Sequence, residues 1–161
     1  MTPIHIVGHA GCGKTTLIVD LVKKLVNKNI RVGTMKHSAH VHELDKPGKD
    51  SFRHRTAGAA PVTVITEELS AVYLPKAFGI SPEKILETYY TNVDIVLIEG
   101  WISGPFQKIE IWRKIIGRPP LFKGIKLVKA IVVEEPIGNT DLRVFQRSEV
   151  DSIADFLLTL T

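Results

Sequence analysis

Short apolar runs alternate with stretches whose apolar residues recur every third or fourth position along this 161-residue chain. Ile4-His5-Ile6-Val7 has strand character and stops at Gly8; past a glycine-rich turn, Leu17, Ile18, Leu21, Val22 and Leu25 follow helical spacing. That spacing predicts a helix closed by Lys28-Asn29, then a strand from Ile30 to Met35, a parallel pair joined by its helix. Lys36 to Pro47 is polar and histidine-rich with no period, which predicts a loop; Asp50 or Ser51 then caps a short helix ending near Gly58.

Val62 to Thr66 and Ala71 to Leu74, separated by Glu67-Glu68-Leu69-Ser70, read as an antiparallel hairpin. Ser81-Pro82-Glu83 gives cap, proline and first-turn acid in helical order, with Ile85, Leu86 and Tyr89 on the apolar face behind it. Asp94 to Ile98 is a continuous apolar strand of the kind covered on both faces of a parallel sheet, and it ends in Glu99-Gly100. Ile109 to Arg113 and Leu127 to Val133 supply further strands. Ser148-Glu149-Val150-Asp151 opens a last helix whose buried face is Val150, Ile153, Ala154 and Leu157. The alternation predicts an α/β, three-layer fold: a mostly parallel sheet with an antiparallel hairpin insert, in a single domain over residues 1–161.

Composition narrows the class. An apolar share of 44% suffices to cover both faces of a modest sheet. Cys12 is the only cysteine, so no disulfide framework or cysteine-based zinc site exists; with no leader-like or membrane-spanning apolar stretch, the expectation is a soluble cytoplasmic protein. The formal charge of +4 does not choose a partner class. Its distribution is local: Lys108, Arg113, Lys114, Arg118, Lys123, Lys126 and Lys129 stand against Glu110 alone, seven minus one giving +6. This stretch is either a solvated surface or an anion-facing flank.

Gly8-His9-Ala10-Gly11-Cys12-Gly13-Lys14-Thr15 fits G-x-x-x-x-G-K-[ST], after a strand and at the start of an amphipathic helix, which makes the expected three-layer fold that of a P-loop NTPase. Phosphate oxygens need several donors at close range. Glycines let backbone N–H groups wrap them, the helix N-terminus adds partial positive charge, Lys14 adds a full one, and Thr15 offers its hydroxyl to Mg²⁺. The nucleotide-binding set is Gly11, Cys12, Gly13, Lys14, Thr15 and Thr16; Cys12 reads as a compact filler rather than a nucleophile. A metal-orienting acid belongs at the end of a neighbouring strand. Glu99 is preferred to Asp94, which lies about 16 Å away at the strand's start. The alternative for Glu99 is a plain strand-end acid.

Gly8 to Leu17, Lys36-His37 with Asp45-Lys46-Pro47-Gly48-Lys49-Asp50-Ser51 and Ala57-Gly58-Ala59, and Asp94 to Gly100 together resemble the molybdopterin-guanine dinucleotide biosynthesis protein B (MobB) family. Lys108-Ile109-Glu110-Ile111 followed by Arg113 also fits its pattern. The resemblance implies a GTP-binding protein with at most slow GTPase activity and Mg²⁺ as cofactor, usually a homodimer. It would assist the guanylyltransferase that converts molybdopterin cofactor to its guanine dinucleotide form, with neither nucleic acid nor membrane as partner. It also places Lys36, His37 and Asp45 beside the phosphate loop, and Trp101-Ile102 departs from the Phe-Lys that the family pattern expects.

The candidate catalytic set is therefore Lys14, Asp45 and Glu99, with Thr15, Glu99 and Asp45 for the metal, and Lys36, His37, Lys49 and Arg53 as anion or cofactor contacts. Asp45 either positions Mg²⁺ or its water, or forms the turn before Pro47-Gly48. His37, His40, His42 and His54 either hydrogen-bond anions or hold a transition metal. A small-molecule kinase is the alternative function, although no arginine-bearing lid is legible. A regulatory GTPase switch would need Asn-Lys-x-Asp, whereas Val133 is followed by Glu134-Glu135-Pro136-Ile137-Gly138-Asn139-Thr140-Asp141.

Overall fold

The computed structural model describes residues 1–38, 40 and 42–161; Ala39 and Val41, inside the loop expected over 36–47, lie outside the described residues. The elements run β1 (Thr2–Val7), α1 (Lys14–Asn27), β2 (Val32–His37), α2 (Asp50–Thr56), β3 (Val62–Ile65), β4 (Ser70–Tyr73), α3 (Pro82–Tyr89), β5 (Ile95–Gly100), β6 (Gln107–Trp112), β7 (Val128–Val133), β8 (Arg143–Gln146) and α4 (Val150–Leu158). One-turn 3₁₀ segments sit at Lys76–Phe78 and Lys114–Ile116. The chain forms two compact units: residues 1–38 with 89–161, and residues 39–88.

The first unit is built on a six-stranded sheet of order β2-β5-β1-β6-β7-β8, parallel at every pairing. Parallel strands must be covered on both faces, and the apolar runs β1, β5 and β7 meet that demand. Ile4, Ile6, Leu97, Ile109 and Val132 point to the face where α1 lays Leu17, Ile18, Leu21 and Leu25 and α4 lays Ile153, Ala154 and Leu157. The opposite face buries His5, Val7, Val96, Ile98, Lys108 and Glu110. Ion pairs Lys24–Asp151 (2.9 Å) and Lys28–Asp155 (2.8 Å) tie α1 to α4.

Several elements depart from the sequence reading by a residue or two, and three differences have a clear cause. The second strand runs two residues further, because Lys36 pairs with Glu99 and His37 with Gly100 in the register with β5. A strand at Arg143–Gln146, which the apolar pattern does not announce, closes the far edge on β7. The last helix starts at Val150, with Glu149 turned back to accept the Gln146 N–H (2.6 Å) rather than completing a capping box from Ser148. The helix expected at Pro82 forms there, and Ser81 Oγ accepts the Lys84 N–H at 3.2 Å.

The second unit contains α2 and the antiparallel pair β3–β4, with Val62 opposite Tyr73 and Ile65 opposite Ser70.

Candidate functional site

The phosphate loop fills the turn between β1 and α1. Gly8 leaves the strand at φ 147°, where a Cβ would stand 2.3 Å from the Ile111 carbonyl oxygen; no other residue fits there. Gly11 (φ 77°) and Gly13 (φ 94°) turn the backbone in the left-handed region, and Gly13 is the N-cap of α1. No side chain caps that helix, so its first N–H groups stay available to an anion. Lys14 curls over the loop and donates to the carbonyls of Gly8 (3.0 Å) and His9 (2.8 Å). Cys12 is buried, and burial pushes its thiol pKa up, which suits a filler. Thr16 is exposed beside it.

Thr15 Oγ1 donates to Glu99 Oε2 at 3.0 Å, and Lys36 Nζ lies 3.2 Å from Glu99 Oε1. The register that sets Lys36 opposite Glu99 thus gathers three of the residues singled out from sequence at the C-terminal ends of β2 and β5. Hydroxyl and carboxylate oxygens side by side at a phosphate loop are the donor set a hard divalent cation takes, so Thr15 and Glu99 fit Mg²⁺. Asp94 has other work: Arg31 grips its carboxylate through Nη2 (2.7 Å), Nε (3.1 Å) and its own N–H (2.9 Å), and these bonds lower its pKa to about 2.

His37 stacks on Trp101, centroids 5.4 Å apart and planes 20° off parallel. Trp101 follows Gly100 in the left-handed region (φ 56°) and meets His5 edge-on at 5.3 Å. His5 is fully buried, and neither ring nitrogen has a hydrogen-bond partner among the described residues. Desolvation, then the Lys108 ammonium, lowers its pKa to about 4. Lys108 is itself buried and donates to the carbonyls of Gly104 (2.7 Å) and Phe106 (3.1 Å); burial lowers its pKa too.

Glu110 is the member of this layer that sequence reasoning passed over. It is fully buried, and its two oxygens accept the N–H groups of Leu121 (2.6 Å) and Phe122 (2.9 Å). Burial raises its pKa, against the pull of those two bonds. The segment it fastens lies against the phosphate loop: His9 Nε2 donates to the Pro119 carbonyl at 2.9 Å, and Ile116 Cδ1 is 3.7 Å from the Cβ position of Gly11. The basic stretch after Lys108 is therefore part strap, part surface. Arg113 pairs with Glu134 at 2.8 Å, while Arg118, Lys123, Lys126 and Lys129 are exposed.

Asp45, Lys49 and Arg53 belong to the second unit. The Asp45 carboxylate is buried, which acts to raise its pKa, but donors from Ser51 (2.9 Å), the Lys46 N–H (2.8 Å), Arg55 (3.4 Å) and Tyr73 outweigh this and the net direction is down. Arg55 also pairs with Glu43 (2.6 Å) and lies over the Tyr73 ring at 5.2 Å. Asp45 thus ties the Lys46 turn to α2 and β4. Lys49, the N-cap of α2, and Arg53 in its first turns are exposed. The His40 and His42 rings sit 6.2 Å apart; among the described residues no group of three or more His, Cys, Asp or Glu is arranged to hold a metal ion. No helix among them is long and apolar enough to cross a membrane.

Comparisons with known proteins agree with this fold. The family model described as molybdopterin guanine dinucleotide synthesis protein B matches residues 4–134. The molybdopterin-guanine dinucleotide biosynthesis adapter protein of Haemophilus influenzae is 33% identical over 155 residues, 96% of this chain and 86% of that protein. The Escherichia coli protein of the same name is 32% identical over 153 residues, 92% of this chain and 87% of that one. A crystal structure of molybdopterin-guanine biosynthesis protein B superposes with a TM-score of 0.76 at 26% identity, covering 99% of each chain. The hydrogenase maturation factor HypB from Helicobacter pylori shares the fold at 16% identity, with a TM-score of 0.56 over 99% of this chain and 86% of that one.

Proposed function

Since the chain belongs to the molybdopterin guanine dinucleotide synthesis protein B family, we propose that it is a GTP-binding adapter in the assembly of the molybdopterin guanine dinucleotide cofactor. In this reading it holds GTP and Mg²⁺ for a partner guanylyltransferase and hydrolyses the nucleotide slowly at most. The observation that carries it is the join of an uncapped helix N-terminus, the Lys14 ammonium and the Thr15–Glu99 oxygen pair within one loop and one strand end.

Each part has a task. The N–H groups from Gly11 to Thr16 bind phosphate oxygens, and Lys14 exchanges its two carbonyl partners for the β- and γ-phosphates. Thr15 and Glu99 hold Mg²⁺, whose charge would neutralise the triphosphate; Lys36, freed from Glu99, turns to an anion. The strap fastened by Glu110 keeps the loop in shape before ligand arrives. Asp45 holds its own turn, and Lys49 at the start of α2 and Arg53 on it face the anionic cofactor or partner. The relatives' names speak for an adapter and not for a small-molecule kinase.

Calorimetric titration of the full chain with GTP and ATP, each with and without Mg²⁺, tests this. GTP should bind more tightly than ATP and gain affinity with Mg²⁺. Equal affinities would remove the guanine preference, and no binding of either would remove the reading.

A further inference from the structure

Both oxygens of the Glu99 carboxylate are already engaged: Oε2 accepts the Thr15 hydroxyl at 3.0 Å, and Oε1 faces the Lys36 ammonium at 3.2 Å. Register neighbours in a parallel pair point to the same face of the sheet. Lys36 and Glu99 therefore both stand on the α1 side, where Thr15 lies in the first turn of the helix. The ammonium occupies the ground a cation held by Glu99 would take, and the Thr15 hydroxyl must turn its proton away from the carboxylate before both can bind one metal ion. The Glu99 side chain is 14% exposed and that of Lys36 66%: a fixed anion, and a cation that reaches in from solvent and can leave the same way.

On the other face, the next residue along β2 forms a second grip. His37 is opposite Gly100 in the register, and its ring stacks on Trp101. Bringing that ring into place takes two successive residues in the left-handed region, Gly100 at φ 82° and Trp101 at φ 56°, a conformation that bulky residues rarely adopt. A Cβ on Gly100 would stand 3.0 Å from the His37 carbonyl oxygen, so the two backbones run close here. Strain of this kind persists where surrounding contacts fix it, and it gathers at switching positions. β2 is an edge strand and Lys36-His37 are its last residues, the place where a ladder ordinarily frays. The stack holds that end in register, and with it the root of the Lys36 side chain.

Charge decides what removes Lys36. Around the Glu99 carboxylate stand Lys14 and Lys36, two minus one giving +1, so the nucleotide-free site repels a divalent cation. A triphosphate on the loop reverses that sign, draws the ammonium to its own oxygens and leaves Glu99 to the metal. We propose that Lys36 is a built-in substitute for the metal ion, held over Glu99 by the His37–Trp101 stack, which makes entry of Mg²⁺ conditional on a bound triphosphate. The proposal concerns regulation of the site described above and rests on the adapter reading for its nucleotide and its metal.

Mn²⁺, which takes the same oxygen donors as Mg²⁺, is titrated into the full chain with and without GTP and followed by electron paramagnetic resonance. The parent chain should bind it far more weakly without GTP than with it. Without GTP, Lys36→Met should bind Mn²⁺ about fivefold more tightly than the parent, the upper range for an ion pair with one exposed partner. With GTP the order should reverse, because the variant lacks the ammonium that the triphosphate recruits. Lys36→Arg keeps the charge and should stay near the parent. His37→Ala should tighten nucleotide-free binding about twofold, and His37→Phe, which restores a ring to stack on Trp101, should return it to the parent value. Lys23→Gln removes a charge eight residues along α1 from Thr15, about 12 Å at 1.5 Å per residue, and should change little. Equal nucleotide-free affinities in Lys36→Met and the parent, an effect of Lys23→Gln as large as that of Lys36→Met, or the same tightening with GTP present each overturn the proposal. An unmoved His37→Ala overturns the part given to the stack. The nucleotide-free titrations keep the two ideas apart: GTP that binds while Lys36→Met leaves Mn²⁺ unmoved sinks the substitute alone, and GTP that does not bind sinks the nucleotide reading.

Discussion

Two side chains carry the clearest residue-scale consequences, and they pull in opposite directions on stability. Lys14 is half-buried but rests on carbonyls of its own loop rather than in the core. Lys14→Ala should abolish GTP binding by calorimetry while leaving the melting temperature within a few degrees, since the loss is about one or two modest hydrogen bonds. Unchanged affinity would mean that the loop does not meet phosphate. His5 is the reverse case, a stability cost with no contact to ligand. Its folded pKa of about 4 lies below the unfolded 6.5, so the native state refuses a proton that the unfolded chain accepts. Stability is therefore full above pH 6.5 and falls as the pH drops toward 4, by up to about 3 kcal/mol at 1.36 kcal/mol per pH unit. His5→Leu also relieves two unpartnered ring nitrogens. Denaturant midpoints between pH 7 and 4.5 should decline in the parent chain and decline distinctly less in this variant; parallel curves would show that His5 titrates normally.

At the scale of elements, Glu110 links a strand to the strap that braces the phosphate loop. Glu110→Ala leaves two backbone N–H groups without acceptors, a cost of about 2–4 kcal/mol at the usual price of unmet hydrogen bonds. The amides of Leu121 and Phe122 should exchange faster by hydrogen-exchange measurement, and GTP affinity should fall several-fold rather than disappear. Glu110→Gln, which keeps one acceptor oxygen, belongs between the two. A fall in stability without faster exchange at those amides would place the effect elsewhere. The same element shows where sequence reading stops. β5 and α1 were legible because burial on both faces gives an unbroken apolar run and burial of one stripe gives helical spacing. The bond from Glu110 to residues eleven and twelve positions on has no local period to announce it, so its carboxylate looked like one acid in a basic run. Lys36-His37 looked like loop because an edge strand at the ligand end is polar; only the pairing with Glu99-Gly100 makes it strand. β8 is four residues long with Phe145 alone buried, too little for an alternation to register. The loop from Gly8 to Thr15 was the opposite: its chemistry demands fixed residue types at fixed spacing, so the motif itself carried the site.

For the molecule as a whole, the hairpin of the second unit raises the question of what completes it. β3 and β4 pair only with each other among the described residues, and a two-stranded sheet is marginal by itself in water. Ile65 and Leu69 are each 75% exposed, with Val72 and Val64 also open, so the pair presents apolar side chains and free strand edges together. Such an edge invites another strand, and the partner always at hand is a second copy related by a two-fold axis. Pairing two hairpins edge to edge would double the sheet, satisfy the free strand edges and join the exposed apolar side chains into one larger apolar face. Light scattering should then report 2 × 17.9 kDa, about 36 kDa, for the parent chain. Ile65→Lys with Val72→Lys puts a charge on each strand at exposed positions, where neither side chain supports a core, so the fold should persist while the mass halves. A parent chain that already runs as a monomer would separate the hairpin from self-association. Its exposed apolar residues would then face a partner other than a second copy.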